Sequence, residues 1–256
     1  VDGDAVAQMT ERFVQHAAHL VAIERRTGKT IALAIEPEPS CFLETTEEAV
    51  AFFRDHLFAP AAAGRLAELT GLSAEEAGRA LRKHLGLCLD LCHAAVEFED
   101  PAATVASLRE AGVAVTKLQV SAGLRLAGVG AEARALLAPF DDGVYLHQVV
   151  EKRGSALTRY DDLIDAFEAL GDAPAAADRE WRVHYHVPLF LADLGPFSST
   201  QAFVTEALAL HAREPISPHL EVETYTWGVL PDSYRTGALP PAIARELQWV
   251  RQQLPA

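Results

Sequence analysis

The stretch LGLCLDLCH, residues 85–93, sets Asp90 and His93 at the end of an otherwise apolar run. Strands buried in a core seldom finish in ionisable groups, because an unpaired charge out of water is costly. One architecture does this by design: a (β/α)8 barrel carries its chemistry at the carboxyl ends of its parallel strands. Four further runs repeat the form: IALAIEPEP (31–39) with Glu36, VTKLQVSAG (115–123) with Gln119, WRVHYHVPLF (181–190) with His184 and His186, and HLEVETYTW (219–227) with Glu221 and Glu223. The expected fold is therefore a single (β/α)8 TIM barrel over residues 1–256, with these runs as strands.

Side-chain alternation sharpens the reading. Successive strand residues point to opposite faces, so Glu36 with Glu38, Lys117 with Gln119 and Ser121, His184 with His186, and Glu221 with Glu223 each share one side. The intervening Leu118, Val120, Val183, Val187, Leu220 and Val222 suit packing against helices, which leaves the polar groups facing the lumen.

The helices carry start and stop marks. Thr45 with Glu48 and Ser73 with Glu76 fit capping boxes. Asp100 before Pro101 opens a helix that Gly112 closes, and Asp161 and the 198–200 segment open two more. A last helix from Pro240 carries Ile243, Leu247, Val250 and Leu254 at helical spacing, expected to cover the final strand. The first helix shows Val6, Met9, Phe13, Ala17, Leu20 and Ile23 at that spacing. A helix ahead of the first strand, and too few strong strands for a barrel, predict that the first strands precede this sequence. Residues 123–159 break the rhythm and read as an accessory insertion with a short strand pair around His147; residues 172–179 read as a surface loop.

Composition sets the limits. With 256 residues, half of them hydrophobic, the chain can bury a large core. A formal charge of −14, from 36 acidic against 22 basic residues, opposes a phosphate backbone, so nucleic acid is not an expected partner. No run approaches the roughly 20 apolar residues of a membrane span. Three cysteines, Cys41, Cys88 and Cys92, are no disulfide framework and suit a reducing cytoplasm.

Carboxylates and imidazoles converging at strand ends suit a divalent cation: Mn²⁺, Mg²⁺, Co²⁺ or Zn²⁺. Glu36 in IEPEP, Asp90 and His93 in LCLDLCH, HYHVP, and Glu223 before Thr224 resemble the xylose isomerase-like TIM barrels, a group of sugar isomerases, epimerases, inosose dehydratases and endonuclease IV-type repair enzymes. The strings YLHQVV, HYHVPLF and EVETYTW look most like the Ebo-type metabolite traffic proteins, encoded beside enzymes of secondary-metabolite and cyclitol-like synthesis. The resemblance implies metal at Glu36, Asp90, Glu223 and His186, with His93 beside them. It implies proton transfer by Glu36 or Glu223, and Lys117 stabilising an enediolate or binding phosphate. Gln119 departs from it, since the related epimerases place a histidine on that strand. Gln119, His184, Glu221, Tyr225 and Trp227 are then substrate-binding candidates, with Phe190 and Tyr145 completing an apolar wall.

Each feature also has a plain reading. Asp-x-x-His pairs arise by chance, either histidine of HYH can serve the core, and Cys88 and Cys92 are ordinary buried residues. His16, His19, His56, His84, His211 and His219 fall on helices or their flanks and read as solvated. The expected function is a divalent-metal-dependent isomerase, epimerase or dehydratase acting on a sugar, cyclitol or related polyol. The alternative is a non-catalytic carrier of such a metabolite, which Gln119 favours. DNA repair of the endonuclease IV type fits poorly with the acidic charge.

Overall fold

The run 85–90 is a strand buried at every position, as expected where helices cover both faces of a parallel sheet. The computed structural model describes residues 3–235 and 237–254. Its elements are α1 (Gly3–Thr27), β1 (Leu33–Ile35), α2 (Thr46–Phe52), α3 (Pro60–Thr70), α4 (Ala74–His84), β2 (Leu85–Asp90), α5 (Leu91–Val96), α6 (Pro101–Ala111), β3 (Val115–Val120), β4 (Leu124–Ala127), α7 (Ala133–Leu137), β5 (Val149–Arg153), β6 (Ala156–Tyr160), α8 (Leu163–Leu170), β7 (Arg179–Val183), β8 (Asp193–Leu194), β9 (Phe197–Ser199), α9 (Gln201–Arg213), β10 (Leu220–Val222) and α10 (Leu239–Gln253).

Two sheets organise them. Strands β1, β2, β3 and β10 form an open parallel sheet in that order, and an antiparallel sheet runs β6-β5-β7-β4-β9-β8. One apolar cluster includes Leu87 and Leu118 of the first sheet and Trp181 and Val183 of the second. Four of the five apolar runs thus lie side by side and parallel, and their carboxyl ends present Glu36, Asp90, Gln119 and Glu223 together.

The fifth run departs from expectation. Its strand β7 ends at Val183 and pairs antiparallel with β4 and β5, while β10 bonds directly to β3. The backbone N–H of Tyr185 donates to the carbonyl of Val183 at 2.8 Å, a tight turn that breaks the extended chain before the histidines. Residues 123–159 accordingly supply more than an accessory pair: β4 and β5 flank β7, and β5 and β6 make a hairpin just after His147.

Local marks are legible. Both capping boxes are present, Asp100 caps α6 and Gly112 closes it in the left-handed conformation. The helix 163–170 is capped by Asp162 rather than Asp161. Two helices bury part of their expected stripe and turn neighbouring positions further inward. Helix α1 buries Ala17 with Val6 and Phe13 half-buried against the core, and brings Val14 and Val21 fully inside. Helix α10 buries Ala242, Glu246 and Val250 and leaves Ile243 and Leu247 exposed, because Glu246 accepts from the Leu189 N–H and the Thr224 hydroxyl. His84, expected to be solvated, is buried, with Nδ1 2.7 Å from the Ile31 carbonyl and Nε2 3.2 Å from Glu24. No helix among the described residues is long and apolar enough to cross a membrane.

Gly86 holds β2 against β3. A Cβ there would collide with Thr116 Cγ2 and stand 2.6 Å from the Ala114 carbonyl oxygen. Gly86→Ala is expected to cost about 1–3 kcal/mol through overpacking, read as a lowered midpoint in urea unfolding; an unchanged midpoint would show that the sheet yields.

Candidate functional site

Asp90 ends β2 and begins α5. Its Oδ1 caps that helix, accepting from the His93 N–H at 2.9 Å, and also accepts from the Ser121 hydroxyl at 2.8 Å. The Asp-x-x-His spacing is thus a helix cap that also brings both side chains to the carboxyl end of the sheet. Oδ2 is buried with no hydrogen-bond partner among the described residues. Burial pushes this carboxyl up, but His93, His186 and the two hydrogen bonds outweigh it and hold it below the usual range.

Three imidazoles gather over it, each held by a carbonyl oxygen. His93 Nδ1 lies 2.9 Å from the Pro37 carbonyl, His184 Nδ1 2.8 Å from Gln148 Oε1, and His186 Nδ1 3.0 Å from the Glu223 carbonyl. A carbonyl oxygen only accepts, so every ring donates from Nδ1 and, when neutral, keeps a bare lone pair on Nε2. His93 Nε2 and His184 Nε2 face each other at 3.0 Å, and His186 Nε2 is buried without a partner. Two lone pairs at that distance repel unless a proton or a cation lies between them. Burial lowers His93, yet Asp90, Glu36 and Glu38 raise it overall, whereas burial and the neighbouring histidines push His184 well down. Of the two rings, His93 is therefore the one that holds a proton more readily. Burial likewise lowers His186 to about 4, so it is neutral at pH 7.

The ligand atoms of His93, His184 and His186 lie within 4.8 Å of one another, as do those of Glu36, Asp90 and His93, and those of Asp90, Cys92 and His186. Carbonyl oxygens holding the far ring nitrogens are what metal-binding histidines characteristically have. The group Glu36, Asp90, His186 and Glu223 expected from sequence is not among these sets, and His93 and His184 take a larger part than expected.

Glu36 and Glu223 leave β1 and β10, the two edge strands of the parallel sheet, and so flank Asp90. Burial, with Asp90 and Glu38 nearby, raises Glu36 against the pull of His93. Burial, Asp90 and Glu36 raise Glu223 to about 7. The Gln119 amide donates to Glu223 Oε2 and its carbonyl accepts the Cys88 thiol. Gln119 therefore positions Glu223 instead of facing a ligand.

Above the cluster opens a cavity of about 440 Å³, within the usual size for small-molecule sites. Glu36, Glu38, His93, His184, His186, Glu223, Tyr145 and Tyr225 all line it. Lys117 and Glu221 share the face of Gln119, as alternation predicts, but they pair with each other at 2.6 Å, part-exposed and outside the cavity. Trp227 is buried beside a separate crevice with Glu246, and Phe190 packs under Arg245 at 3.7 Å. Neither forms the expected wall. Cys92 lies on α5, not on the strand, and burial keeps its thiol protonated. Sequence reasoning missed Gln148 and the Pro37 carbonyl, which orient His184 and His93; no spacing or periodicity marks such partners.

Comparison with protein-family models, with curated proteins and with solved structures finds no match to this chain.

Proposed function

We propose that the chain is a divalent-metal-dependent isomerase, epimerase or dehydratase acting on a sugar, cyclitol or related polyol, its parallel sheet being part of a xylose isomerase-like barrel. The observation that carries this reading is the gathering of the His93, His184 and His186 ligand atoms within 4.8 Å of one another, with His186 Nε2 buried and unpartnered, beneath a cavity flanked by two carboxylates. His93, His184 and His186 would hold the ion, with Asp90 beside them. Three imidazoles favour Zn²⁺ or Co²⁺ over Mg²⁺. A bound divalent ion supplies polarisation of substrate oxygens.

The chain's own groups handle the proton. Glu223, near pH 7 about half ionised, is suited to take a proton from carbon, since a general base works best with its pKa near the working pH. Gln119 donates to its Oε2, and Asp90 stands within hydrogen-bond reach of its protonated form. Glu36, on the far edge of the sheet, is placed to return a proton from the other side, as epimerisation requires. The test is incubation of metal-loaded protein with a panel of polyols in heavy water: deuterium entering a C–H position supports the reading, and no exchange with any of them counts against it.

Free Cys41, Cys88 and Cys92 fit placement in the cytoplasm. A non-catalytic carrier is the second reading. It is favoured by Gln119, whose amide occupies Glu223 where the related epimerases have a histidine.

Metal uptake should depend on pH. Ligands must shed protons to bind, and His93, raised above its ordinary value, carries one when the metal is absent. Calorimetric affinity for Zn²⁺ is expected to weaken as pH falls below neutral, with about one proton released per ion at pH 6. Uptake without proton release would show that the His93–His184 pair is not where the ion binds.

A further inference from the structure

Glu36, Glu38 and Glu223 line the cavity and Asp90 adjoins them, yet no lysine or arginine lines it among the described residues. Elsewhere the carboxylates find cations: Glu221 has Lys117 at 2.6 Å and Glu97 has Arg159 at 2.6 Å. Glu38, by contrast, has no lysine or arginine partner among the described residues; His184 Nδ1 lies 3.8 Å away and the Cys41 thiol 3.8 Å away. One divalent ion brings two positive charges to four carboxylates, of which Glu223 is about half ionised at pH 7, so a net negative charge of between one and two remains. The site is more than an acidic cluster, because the fully buried His186 aims an unpartnered Nε2 into it. At the rim the rings of Tyr145 and Tyr225 meet edge to face with centroids 4.9 Å apart, and Tyr225 lies 4.6 Å from His186. Tyrosine faces attract an ammonium group, more strongly where water is excluded.

We infer that the cavity takes a polyol bearing a protonated amine, its ammonium seated between Glu38 and the two tyrosines, and that it rejects phosphorylated polyols. This rests on the metal-dependent polyol reading above and names the substrate class within it. Lys117, the phosphate ligand expected from sequence, is committed to Glu221. The negative charge left after the ion is counted repels an anion at the short range where salt screens least.

The experiment is ligand-observed NMR and calorimetry on the full, metal-loaded chain at pH 7, with glucosamine, glucose and glucose 6-phosphate as probes. Glucosamine is expected to bind about tenfold or more tighter than glucose, with glucose 6-phosphate not binding. Glu38→Gln, at a part-exposed position, is expected to abolish the preference for glucosamine and leave metal content unchanged. Equal binding of glucosamine and glucose, binding of the phosphate, or no binding of glucosamine at millimolar concentration overturns the inference while the metal reading stands. Two equivalents of metal per chain also overturn it, since a second ion would neutralise the carboxylates. If the chain takes up no metal, the reading above falls by itself. The glucosamine preference is then measured on the metal-free chain, where its absence overturns the inference.

Discussion

His186→Ala is expected to lower divalent-metal affinity by more than about 100-fold, since even an outer partner of a metal-binding histidine is worth 10–100-fold. The ring is held by the Glu223 carbonyl and keeps its Nε2 free, and it belongs to two of the three groups of converging ligand atoms. The metal-free variant should lose only modest stability: the deletion opens a small cavity and takes the donor from the Glu223 carbonyl, but it also removes a buried acceptor that nothing satisfies, itself a cost of about 1–3 kcal/mol. His84→Ala supplies the contrast. That histidine is equally buried but belongs to none of the ligand groups, with Nδ1 2.7 Å from the Ile31 carbonyl and Nε2 3.2 Å from the Glu24 carboxylate. Its loss should lower the unfolding midpoint and leave metal affinity alone. Equal metal loss in both variants, measured by competition with a chromophoric chelator, would mean that the effect at 186 is general damage.

Glu223→Gln is expected to slow turnover by about 10²–10⁴-fold, the range for a positioned general base. The pH dependence identifies the role. With a carboxyl raised to about 7 by burial and by Asp90, the base form is lost as pH falls through 7, so the wild-type rate should drop on the acid side. The glutamine variant should lack that limb. Metal content should stay near the wild-type level, because Glu223 belongs to none of the converging ligand groups. Loss of metal in this variant would instead restore Glu223 to the ligand role that its place at the end of β10 suggests.

These residues also mark how far the sequence can be read. Asp90, His93, Glu36 and Glu223 were legible because an ionisable group at the end of an apolar run is costly without a purpose, and because strand alternation assigns its face. Parallel pairing of four runs follows from the same pattern. The fate of WRVHYHVPLF does not. Its alternation would be the same in either sheet, and its place is decided by Gln148 and Ala122, whose carbonyls take the N–H groups of His184 and Val187. Helix α10 teaches a similar lesson. Ile243 with Leu247 and Ala242 with Glu246 and Val250 both follow helical spacing, and the choice between those faces came from donors on Leu189 and Thr224. Lys117 shared the right strand face but sat too near the strand's start to reach the cavity, a matter of height along the sheet that periodicity does not encode.

The most direct test of the central claim is metal content by plasma mass spectrometry on chelator-free protein, with cobalt substitution read by visible absorption. About one equivalent per chain is expected, with a cobalt spectrum that shows histidine nitrogen ligation and changes in His93→Ala. Wild-type protein that stays metal-free after loading, or cobalt absorption indifferent to His93, would contradict it.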